Sequence, residues 1–191
     1  MINSLEIDPQ KTALVVIDMQ KGIVAMQGAP YSAQDVLANT ARLVAAFRAK
    51  DGFVVLVNVG SRDGKDTLQP ITDQSIGWSG ERSKDWMELA PELNQQASDH
   101  LITKHQWGAF FGTDLDLQLR RRGIDTIVLC GIATNIGVET TAREAYQRNY
   151  QQIFAEDAMT AITTEEHSHT VKFIFQRLGR IRTTAEIMAA L

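Results

Sequence analysis

Three polar features of this chain accompany short apolar runs, and they are its candidates for chemistry. Asp18 follows one run, Lys104 ends another, and the segment from Gly131 to Gly137 follows a third. Parallel sheets bind ligands beyond the carboxyl ends of their strands, so such residues can meet at one site. An acid after a buried strand is costly unless it is paired. Taken singly, Asp18 is equally well explained as an acceptor for backbone N–H groups. Lys104 alone would be a lysine with a buried stem and a solvated charge.

The elements that must position these residues alternate between strand and helix patterns. This alternation is typical of an α/β protein whose parallel sheet is covered by helices on both faces. We therefore predict one domain over residues 1–191, with a three-layer α/β/α, Rossmann-like architecture and a six-stranded, mainly parallel sheet. The predicted strands span 11–17, 53–59, 100–104, 124–130 and 152–155, with a short one near 181. The predicted helices span 32–50, 85–96, 114–122, 136–148 and 164–178, with a last one from 184.

The composition favours a cytoplasmic protein whose partner is a small molecule. The net charge is −4, and apart from the run 120–122 the basic residues are scattered along the chain. This distribution of charge argues against nucleic acid as a partner. No apolar run is long enough to span a membrane, and residues 1–10 lack the apolar core of a signal peptide. A single cysteine excludes an internal disulfide and fits a reducing compartment. Glycine-rich nucleotide-binding motifs are missing, and we predict no cofactor.

Together the polar features match a family pattern. The pieces, in order, are Asp18-Met-Gln20, Lys104, Trp107-Gly-Ala-Phe110, Gly112-Thr113-Asp-Leu115 and Gly131-Ile-Ala-Thr134. In order and spacing they resemble the isochorismatase-like hydrolases, and the resemblance runs from about Thr12 to Asp157. From Lys104 through Thr141 the chain is especially similar to an uncharacterised bacterial subgroup.

The resemblance implies a role for each matched position. In cysteine-dependent members, an aspartate and a lysine flank a thiol and lower its pKa. Backbone N–H groups of the turn form an oxyanion hole beside a cis peptide bond. These roles fall on Asp18, on Lys104 and on the N–H groups of Ala133 and Gly137, with the cis bond expected between Ile132 and Ala133. The nucleophilic cysteine of those members is replaced here by Gly137.

The missing thiol changes the chemistry that the resemblance implies. Cys130 ends an apolar run and is interpreted as a buried structural thiol rather than a substitute nucleophile. True isochorismatases and related vinyl-ether hydrolases also carry glycine at this position. They imply hydrolysis without a covalent intermediate, in which Asp18 protonates an enol-ether carbon with Lys104 as its partner. Burial raises the pKa of such an acid and the lysine lowers it, so the sequence leaves the net direction open.

The sequence also allows two other functions for the same pocket. The turn of true isochorismatases resembles Tyr-Ala-His-Ile-Gly-Cys, whereas this chain has Ala-Thr-Asn-Ile-Gly-Val, closer to the cysteine hydrolases. One alternative is a catalytically silent protein that binds a small molecule. Another is an amide hydrolase that uses an activated water molecule. The family also commonly forms dimers or larger assemblies, so we expect a homo-oligomer, to which the apolar segment 187–191 could contribute unless it packs on its own core.

The candidate substrate-binding residues are Gln20, Trp78, Trp107 and Phe110. Trp107 and Phe110 fall where family members line the pocket with aromatic side chains, although an ordinary core position explains them equally well. Gln20 lies two residues after the candidate acid and would orient water or substrate. Trp78 lies in the irregular segment 60–84, and a stretch of that length is typical of a functional covering.

The sequence predicts no metal site. Nicotinamidases of the superfamily use an Asp-x-His motif after the second strand, and the segment 59–63 contains no histidine. His167 and His169 are two residues apart in a predicted helix, so their side chains would point to nearly opposite faces. His100 and His105 flank the third strand and are interpreted as solvated or core-edge residues.

Overall fold

The computed structural model describes residues 5–73 and 83–191, and its centre is a six-stranded sheet in which every pair of strands is parallel. The strands are β1 (Thr12–Ile17), β2 (Phe53–Val59), β3 (His100–Lys104), β4 (Thr126–Ile132), β5 (Gln151–Thr160) and β6 (Arg180–Arg182). The helices are α1 (Lys21–Val24), α2 (Ala33–Arg48), α3 (Leu115–Arg121), α4 (Glu139–Gln147), α5 (Thr164–His169), α6 (Gln176–Leu178) and α7 (Thr184–Ala190). Short π-helical segments, Thr134–Val138 and Thr170–Phe175, precede α4 and α6.

The strand order is β3-β2-β1-β4-β5-β6. The chain winds outward in one direction from β1 to β3 and in the other from β4 to β6. The order therefore reverses between β1 and β4, and such a switch point opens a crevice at the carboxyl ends of the two strands. The predicted α/β/α, Rossmann-like fold is confirmed, and the sheet is wholly parallel in the described residues.

Both faces of the sheet are covered, and the central strand β1 is apolar from Ala13 to Ile17 and buried along its whole length. Leu14 and Val16 pack into the core under α2 and α7, whereas Val15 and Ile17 pack into the core under α3 and α4. All of these side chains are fully buried. An uninterrupted apolar strand of this kind is typical of a parallel sheet that is buried on both sides.

The helix predicted over 85–96 is wrong. In its place the chain forms turns and one 3-10 turn, Pro91–Leu93. Ala90 precedes the proline and is extended, at φ −60° and ψ 131°, because the proline ring disfavours helical geometry in the preceding residue. The Ala90 N–H donates to the carbonyl of Met19 at 2.9 Å, and Asn94 is left-handed at φ 44°. These contacts tie the segment to the chain just after β1.

Strand β5 is longer than the predicted 152–155. It continues to Thr160, past a register shift opposite Leu129 and Gly131 on β4. Beyond the shift, Met159 pairs with Gly131. Glu156 and Asp157 interrupt the apolar pattern, and this is why the strand predicted from the sequence ends too early. The added residues bring β5 to the crevice at the carboxyl edge.

Candidate active site

The three polar features of the sequence meet at the carboxyl edge of the sheet. Asp18 is the first residue after β1, and the turn that begins at Ala133 follows the neighbouring strand β4. Lys104 ends β3, two strands away, where it pairs with Val59 at the end of β2. Its long side chain crosses the end of β2 to reach Asp18. The switch point between β1 and β4 thus places an acid and a cation beside a backbone turn.

Asp18 and Lys104 form a buried ion pair. The Lys104 Nζ lies 2.8 Å from the Asp18 Oδ2, and the two side chains are 1% and 6% exposed. The same Nζ donates to the carbonyl oxygen of Trp107 at 2.5 Å. Because an ammonium group carries three hydrogens, one donor remains for a ligand. Lys104 is therefore held in place and still able to contact a bound molecule.

The Asp18 carboxyl group holds its proton to a higher pH than an ordinary aspartic acid does. Burial raises its pKa from 3.8 to about 6, although the charge and the hydrogen bond of Lys104 lower it. Its second oxygen, Oδ1, is buried and has no hydrogen-bond partner among the described residues. A carboxyl group with one unpartnered oxygen and such a pKa can give or take a proton at physiological pH.

The backbone of Asp18 is strained. Its φ is 54°, in the left-handed region that residues other than glycine seldom occupy. The Asp18 N–H donates to the Val57 carbonyl at 2.9 Å, which fixes this conformation. Strain of this kind persists only where the surrounding structure enforces it, and it concentrates at functional sites.

The turn after β4 brings the backbone close to β1. Gly131 has φ 119°, and a Cβ at this position would lie 2.0 Å from the carbonyl oxygen of Ile17, so only glycine fits. The peptide bond between Ile132 and Ala133 is cis, as predicted. From Thr134 the chain enters the π-helical segment that leads into α4.

Gly137 faces the ion pair directly. A Cβ added there would lie 3.1 Å from the Asp18 Oδ2, 3.2 Å from the Lys104 Nζ and 3.0 Å from the Ile17 Cγ2. A side chain at this position would therefore contact both charged groups. The geometry agrees with the resemblance, which places the thiol of cysteine-dependent relatives between the aspartate and the lysine.

A cavity of about 370 Å³ opens over these groups. This volume lies within the range of small-molecule sites. Trp107 lies in its wall and is 46% exposed, and Ala133 and Gly137 also line it. The remaining lining residues were not predicted as binding residues, although two of them belong to the recognised turn: Ile23, Met26, Gln27, Gly28, Ala33, Val59, Gln106, Ile132, Ile136, Thr160, Ala161 and Ile162.

Two of the predicted binding residues lie elsewhere. Gln20 is fully buried and does not line the cavity; its amide bonds the backbone of Val59 and Trp86, at distances from 2.8 to 3.2 Å. Phe110 is also buried outside the cavity wall and packs against Tyr150, with ring centroids 5.7 Å apart. Both side chains brace the segments around the site. Trp78 lies outside the described residues.

The cysteine and the histidines do not form a second reactive centre. Cys130 is fully buried in the core, and burial raises the pKa of its thiol to about 12, which makes it a poor nucleophile. His100 pairs with Asp114, and His105 contacts the carbonyl of Gly60. Among residues 5–73 and 83–191, no cluster of three or more His, Cys, Asp or Glu residues could hold a metal ion.

Sequence reasoning missed a buried hydrogen bond behind the turn. The Thr134 Oγ1 lies 2.9 Å from the His167 Nδ1, and both residues are buried. Burial lowers the pKa of His167, so the ring is neutral at physiological pH. The bond ties the turn after β4 to α5. Thr134 belonged to the recognised motif, but its partner is distant in the chain and carried no local signal.

Sequence reasoning also missed two hydrogen bonds that hold the loop after β3. The Thr141 Oγ1 accepts from the Ala109 N–H at 3.1 Å, and the Glu144 carboxylate accepts from the Phe110 N–H at 3.0 Å. Thus α4 holds the loop whose Trp107 carbonyl binds Lys104. The spacing of Thr141 and Glu144 places them on one helical face, but nothing in the sequence names the loop that they bond.

Comparison with known proteins agrees with this geometry. Residues 12–186 match the model of the isochorismatase domain. The uncharacterized isochorismatase family protein YwoC of Bacillus subtilis is 58% identical over 98% of each chain. YecD of Escherichia coli O157:H7, also an uncharacterized isochorismatase family protein, is 47% identical over 98% of this chain and all of its own. The chain belongs to the isochorismatase family.

A solved structure shows the same fold. An isochorismatase family protein from Burkholderia thailandensis superposes with a TM-score of 0.93, at 46% identity over 99% of both chains. As a member of the isochorismatase family, the chain is a hydrolase of a small molecule. In the described part of the chain, no helix has both the length and the apolar character needed to cross a bilayer.

Proposed function

We propose that this hydrolase cleaves an enol ether by general acid catalysis, with Asp18 as the proton donor and without a covalent intermediate. One observation carries the proposal: a buried carboxyl group with a pKa of about 6 faces Gly137, where a side-chain nucleophile is missing. Among hydrolytic reactions, cleavage of an enol ether needs a proton on carbon rather than an attacking thiol. The site supplies that proton.

In the first step, the Asp18 carboxyl group gives its proton to the terminal carbon of the double bond. The π electrons form the new C–H bond, and a lone pair of the ether oxygen stabilises the resulting oxocarbenium ion. Asp18 is left as a carboxylate beside Lys104, whose ammonium group is 2.8 Å away and stabilises the new negative charge. Among the described residues, Oδ1 is the Asp18 oxygen with no competing hydrogen bond, and we propose that it carries the proton.

In the second step, water adds to the cation and the Asp18 carboxylate takes up a proton from it. The hemiketal that forms then breaks its bond to the alcohol, giving a carbonyl product and a free alcohol. Asp18 ends protonated, so one water molecule is consumed and no proton is lost. Ala133 and Gly137 line the cavity, and we propose that their N–H groups orient the oxygen atoms of the substrate.

The expected contribution of Asp18 is bounded by general experience with acid catalysis. A positioned general acid typically contributes about 10²–10⁴-fold, or roughly 3–5 kcal/mol of barrier. The remainder of the acceleration would come from holding the vinyl group against Asp18 within the cavity. The proposal thus requires a large but incomplete loss of rate when the proton donor is removed.

A panel of enolpyruvyl ethers, with isochorismate among them, tests the proposal. Pyruvate release is measured for the wild-type protein and for Asp18→Asn, whose amide keeps the shape and cannot donate an acidic proton. Pyruvate release that drops by about 10²-fold or more in the variant supports the mechanism. Release that is equal in both proteins, or found with no ether, contradicts it. Ammonia release from an amide panel would identify the activated-water alternative, and binding without turnover would identify a silent binder.

We also propose that the hydrolase forms a homo-oligomer, a dimer or a larger assembly. The segment 187–191 is a poor candidate for the interface, because Ile187 is fully buried and Leu191 packs against the same core. Exposed aromatic side chains offer an alternative surface: Trp107 is 46% and Phe111 is 68% exposed. Light scattering during gel filtration would show a mass above that of one chain, and a monomer would contradict the proposal.

A further inference from the structure

We propose that the alcohol part of the substrate is uncharged and largely apolar, so that the enzyme cleaves enol ethers of small neutral alcohols or phenols. This inference rests on the proposed enol-ether chemistry and names the class of substrate for the same cavity. It separates this chain from an enzyme for isochorismate, whose ring carries a second carboxylate beyond the one on its enolpyruvyl group.

The first support is the charge of the cavity wall. Among the described lining residues, Asp18 and Lys104 are the charged ones, and they pair with each other at 2.8 Å. When Asp18 holds its proton, Lys104 leaves the site with one positive charge. The site can therefore balance one anionic group, and that group must lie at the reacting end, beside the acid.

The second support is that the hydrogens of Lys104 are almost all committed. Asp18 and the Trp107 carbonyl accept two of the three, so one remains for a ligand. A single donor can serve one carboxylate attached to the vinyl group. It cannot also reach a carboxylate on the far side of the substrate.

The third support comes from Gln106 and Thr160, two of the neutral polar side chains of the described wall; Gln27, which also lines the cavity, is exposed. The Gln106 Nε2 already donates to the carbonyl oxygens of Gly108 and Phe111, at 3.0 and 2.7 Å. The Thr160 hydroxyl donates to the Tyr31 carbonyl at 2.7 Å. These side chains therefore offer oxygen lone pairs rather than hydrogens to the cavity. Lone pairs repel a carboxylate, and they accept from a neutral hydroxyl or amide.

The rest of the described wall is mostly apolar. It consists mainly of Ile23, Met26, Ala33, Val59, Ile132, Ile136, Ala161 and Ile162. A carboxylate buried against such side chains loses its hydration and gains no partner, which strongly disfavours binding. A neutral alkyl or aryl group gains from the same contact, because apolar surface leaves water. The wall thus selects against charge on the leaving alcohol.

Two matched synthetic ethers test the inference. In 2-(4-carboxyphenoxy)acrylate and 2-(4-carbamoylphenoxy)acrylate the enolpyruvyl group is the same, and the leaving phenols are similar in size and shape and differ mainly in charge. Each takes up one water molecule and gives pyruvate and the phenol, so one pyruvate assay serves both. We expect kcat/KM to be at least about tenfold higher for the carbamoyl ether, a difference of about 1.4 kcal/mol in transition-state binding. Equal values, or a preference for the carboxyl ether, would overturn the inference.

A charge introduced into the wall provides a second, independent arm. Ile162 lines the cavity and is 52% exposed, so a lysine there can keep its ammonium group hydrated. We expect Ile162→Lys to raise the kcat/KM of the carboxyl ether relative to the carbamoyl ether at least fivefold. Ile162→Gln, a neutral polar control, should leave that ratio within about twofold of wild type. A lysine variant that leaves the ratio unchanged would count against the inference.

Arg82 lies outside the described residues and so is not counted in the charge of the wall, and a variant at this position tests its charge separately. If wild type prefers the carboxyl ether and Arg82→Ala reverses the preference, the substrate carries a second anion and the inference fails. If Arg82→Ala leaves a preference for the carbamoyl ether unchanged, the inference stands.

Failure of the proposed chemistry is distinguishable from failure of this inference. Pyruvate release from isochorismate alone would overturn the inference and leave the reaction standing. If neither of these ethers nor any ether of the panel releases pyruvate, the enol-ether reaction is wrong. The charge preference is then read from binding, with the saturated 2-(4-carboxyphenoxy)propanoate and 2-(4-carbamoylphenoxy)propanoate in a calorimetric titration. Tighter binding of the carbamoyl compound, by at least fivefold, would still support a neutral ligand body. Equal or weaker binding would overturn it.

Discussion

A buried and a partly buried ion pair lie at opposite edges of the sheet, and their differences separate a reactive carboxylate from a structural one. At the amino edge, the Arg48 Nε donates to the Asp99 Oδ1 at 3.0 Å and its Nη2 to the Oδ2. The Gln96 N–H adds a third bond at 2.8 Å, and the Asp99 side chain is only 1% exposed. Both oxygens of Asp99 are therefore bound in a fixed fork, as bidentate arginine pairs allow.

At the carboxyl edge, the Asp18 pair is less complete. Lys104 binds one oxygen, the other has no partner among the described residues, and burial raises the pKa of the acid to about 6. A point-charge ammonium group holds Asp18 without saturating it, whereas the planar guanidinium group of Arg48 saturates Asp99. Burial alone therefore does not mark a functional acid. The incomplete satisfaction of a buried acid does.

The largest expected effect is on catalysis, and it should be confined to one of the two pairs. Asp18→Asn should lower kcat by about 10²–10⁴-fold, because the amide cannot supply the proton. Asp99→Asn removes the matching carboxylate at the remote edge and should leave kcat within about twofold of wild type. Pyruvate release by folded protein, verified by circular dichroism, measures both. A comparable loss in the two variants would show that the contrast between the pairs is false.

The second effect is on stability, and it should be found at the Asp99 pair rather than at the Asp18 pair. Asp99→Ala removes the carboxylate from the partly buried Arg48 guanidinium group, which keeps only its bond to the Leu93 carbonyl, and loss of one partner of a buried pair typically costs about 3 kcal/mol. Urea unfolding should show this loss in the free energy of unfolding, with an unchanged slope. Arg48→Lys is the graded control, because it keeps the charge and loses the fork. A loss for Asp99→Ala of less than about 0.5 kcal/mol would mean that this pair is not structural.

Much of this arrangement was accessible from the sequence. The apolar run before Asp18 marked a strand buried on both faces, and the order of Asp18, Lys104 and Gly131 identified the family pattern. The cis bond at Ala133 followed from the same resemblance. These features are encoded locally, in the type and spacing of neighbouring residues, and the structure brings them together at the switch point.

What the sequence could not supply depends on contacts between distant segments. Whether Gln20 binds substrate or backbone depends on the position of Trp86, far along the chain. The direction of the Asp18 pKa shift depends on the balance of burial against Lys104, which only coordinates give. The helix predicted over 85–96 failed because contacts with the chain after β1, such as that of Ala90 with Met19, override its helical tendency.

The third effect is the pH dependence of the reaction. Asp18 must be protonated to act as the acid, and its pKa is about 6 in the folded protein. We therefore expect kcat/KM to be level below about pH 6 and to fall about tenfold per pH unit above it. The unprotonated form would be favoured instead if Asp18 acted as a base, and the profile would then rise with pH. A pH series of initial rates with the reactive ether decides between these slopes.

The same pKa shift makes stability depend on pH. The pKa of Asp18 is raised above its value of 3.8 in the unfolded chain, so its contribution to stability is fully present below that pH. The contribution is lost as the pH rises through about 6. Wild type should therefore lose stability between pH 4 and pH 6 relative to Asp18→Asn, which lacks the titrating group. If the free energy of unfolding changed equally with pH in the two proteins, the raised pKa of Asp18 would be contradicted.

The smallest expected effect tests whether Gly137 matters because it lacks a side chain or because of its backbone conformation. The methyl group of Gly137→Ala would lie 3.1 Å from the Asp18 Oδ2 and 3.2 Å from the Lys104 Nζ, so the pair must move by a few tenths of an ångström. A looser pair weakens the effect of Lys104, and the pKa of Asp18 rises further. We expect kcat to fall about tenfold, or about 1.4 kcal/mol, and the falling limb of the pH profile to move to higher pH.

Gly123→Ala is the matched control for this substitution. Gly123 has φ 65° and no atom of the described residues within 4 Å of an added Cβ, so alanine there is strained but makes no new contact with them. It should lower stability by about 1 kcal/mol and leave the pH profile unchanged. A shifted profile for Gly137→Ala alone would show that the missing side chain makes room for the Asp18–Lys104 pair. Matching profiles for the two variants would mean that Gly137 matters only as backbone, and the reactive character of Asp18 would then rest on its burial and its unpartnered oxygen alone.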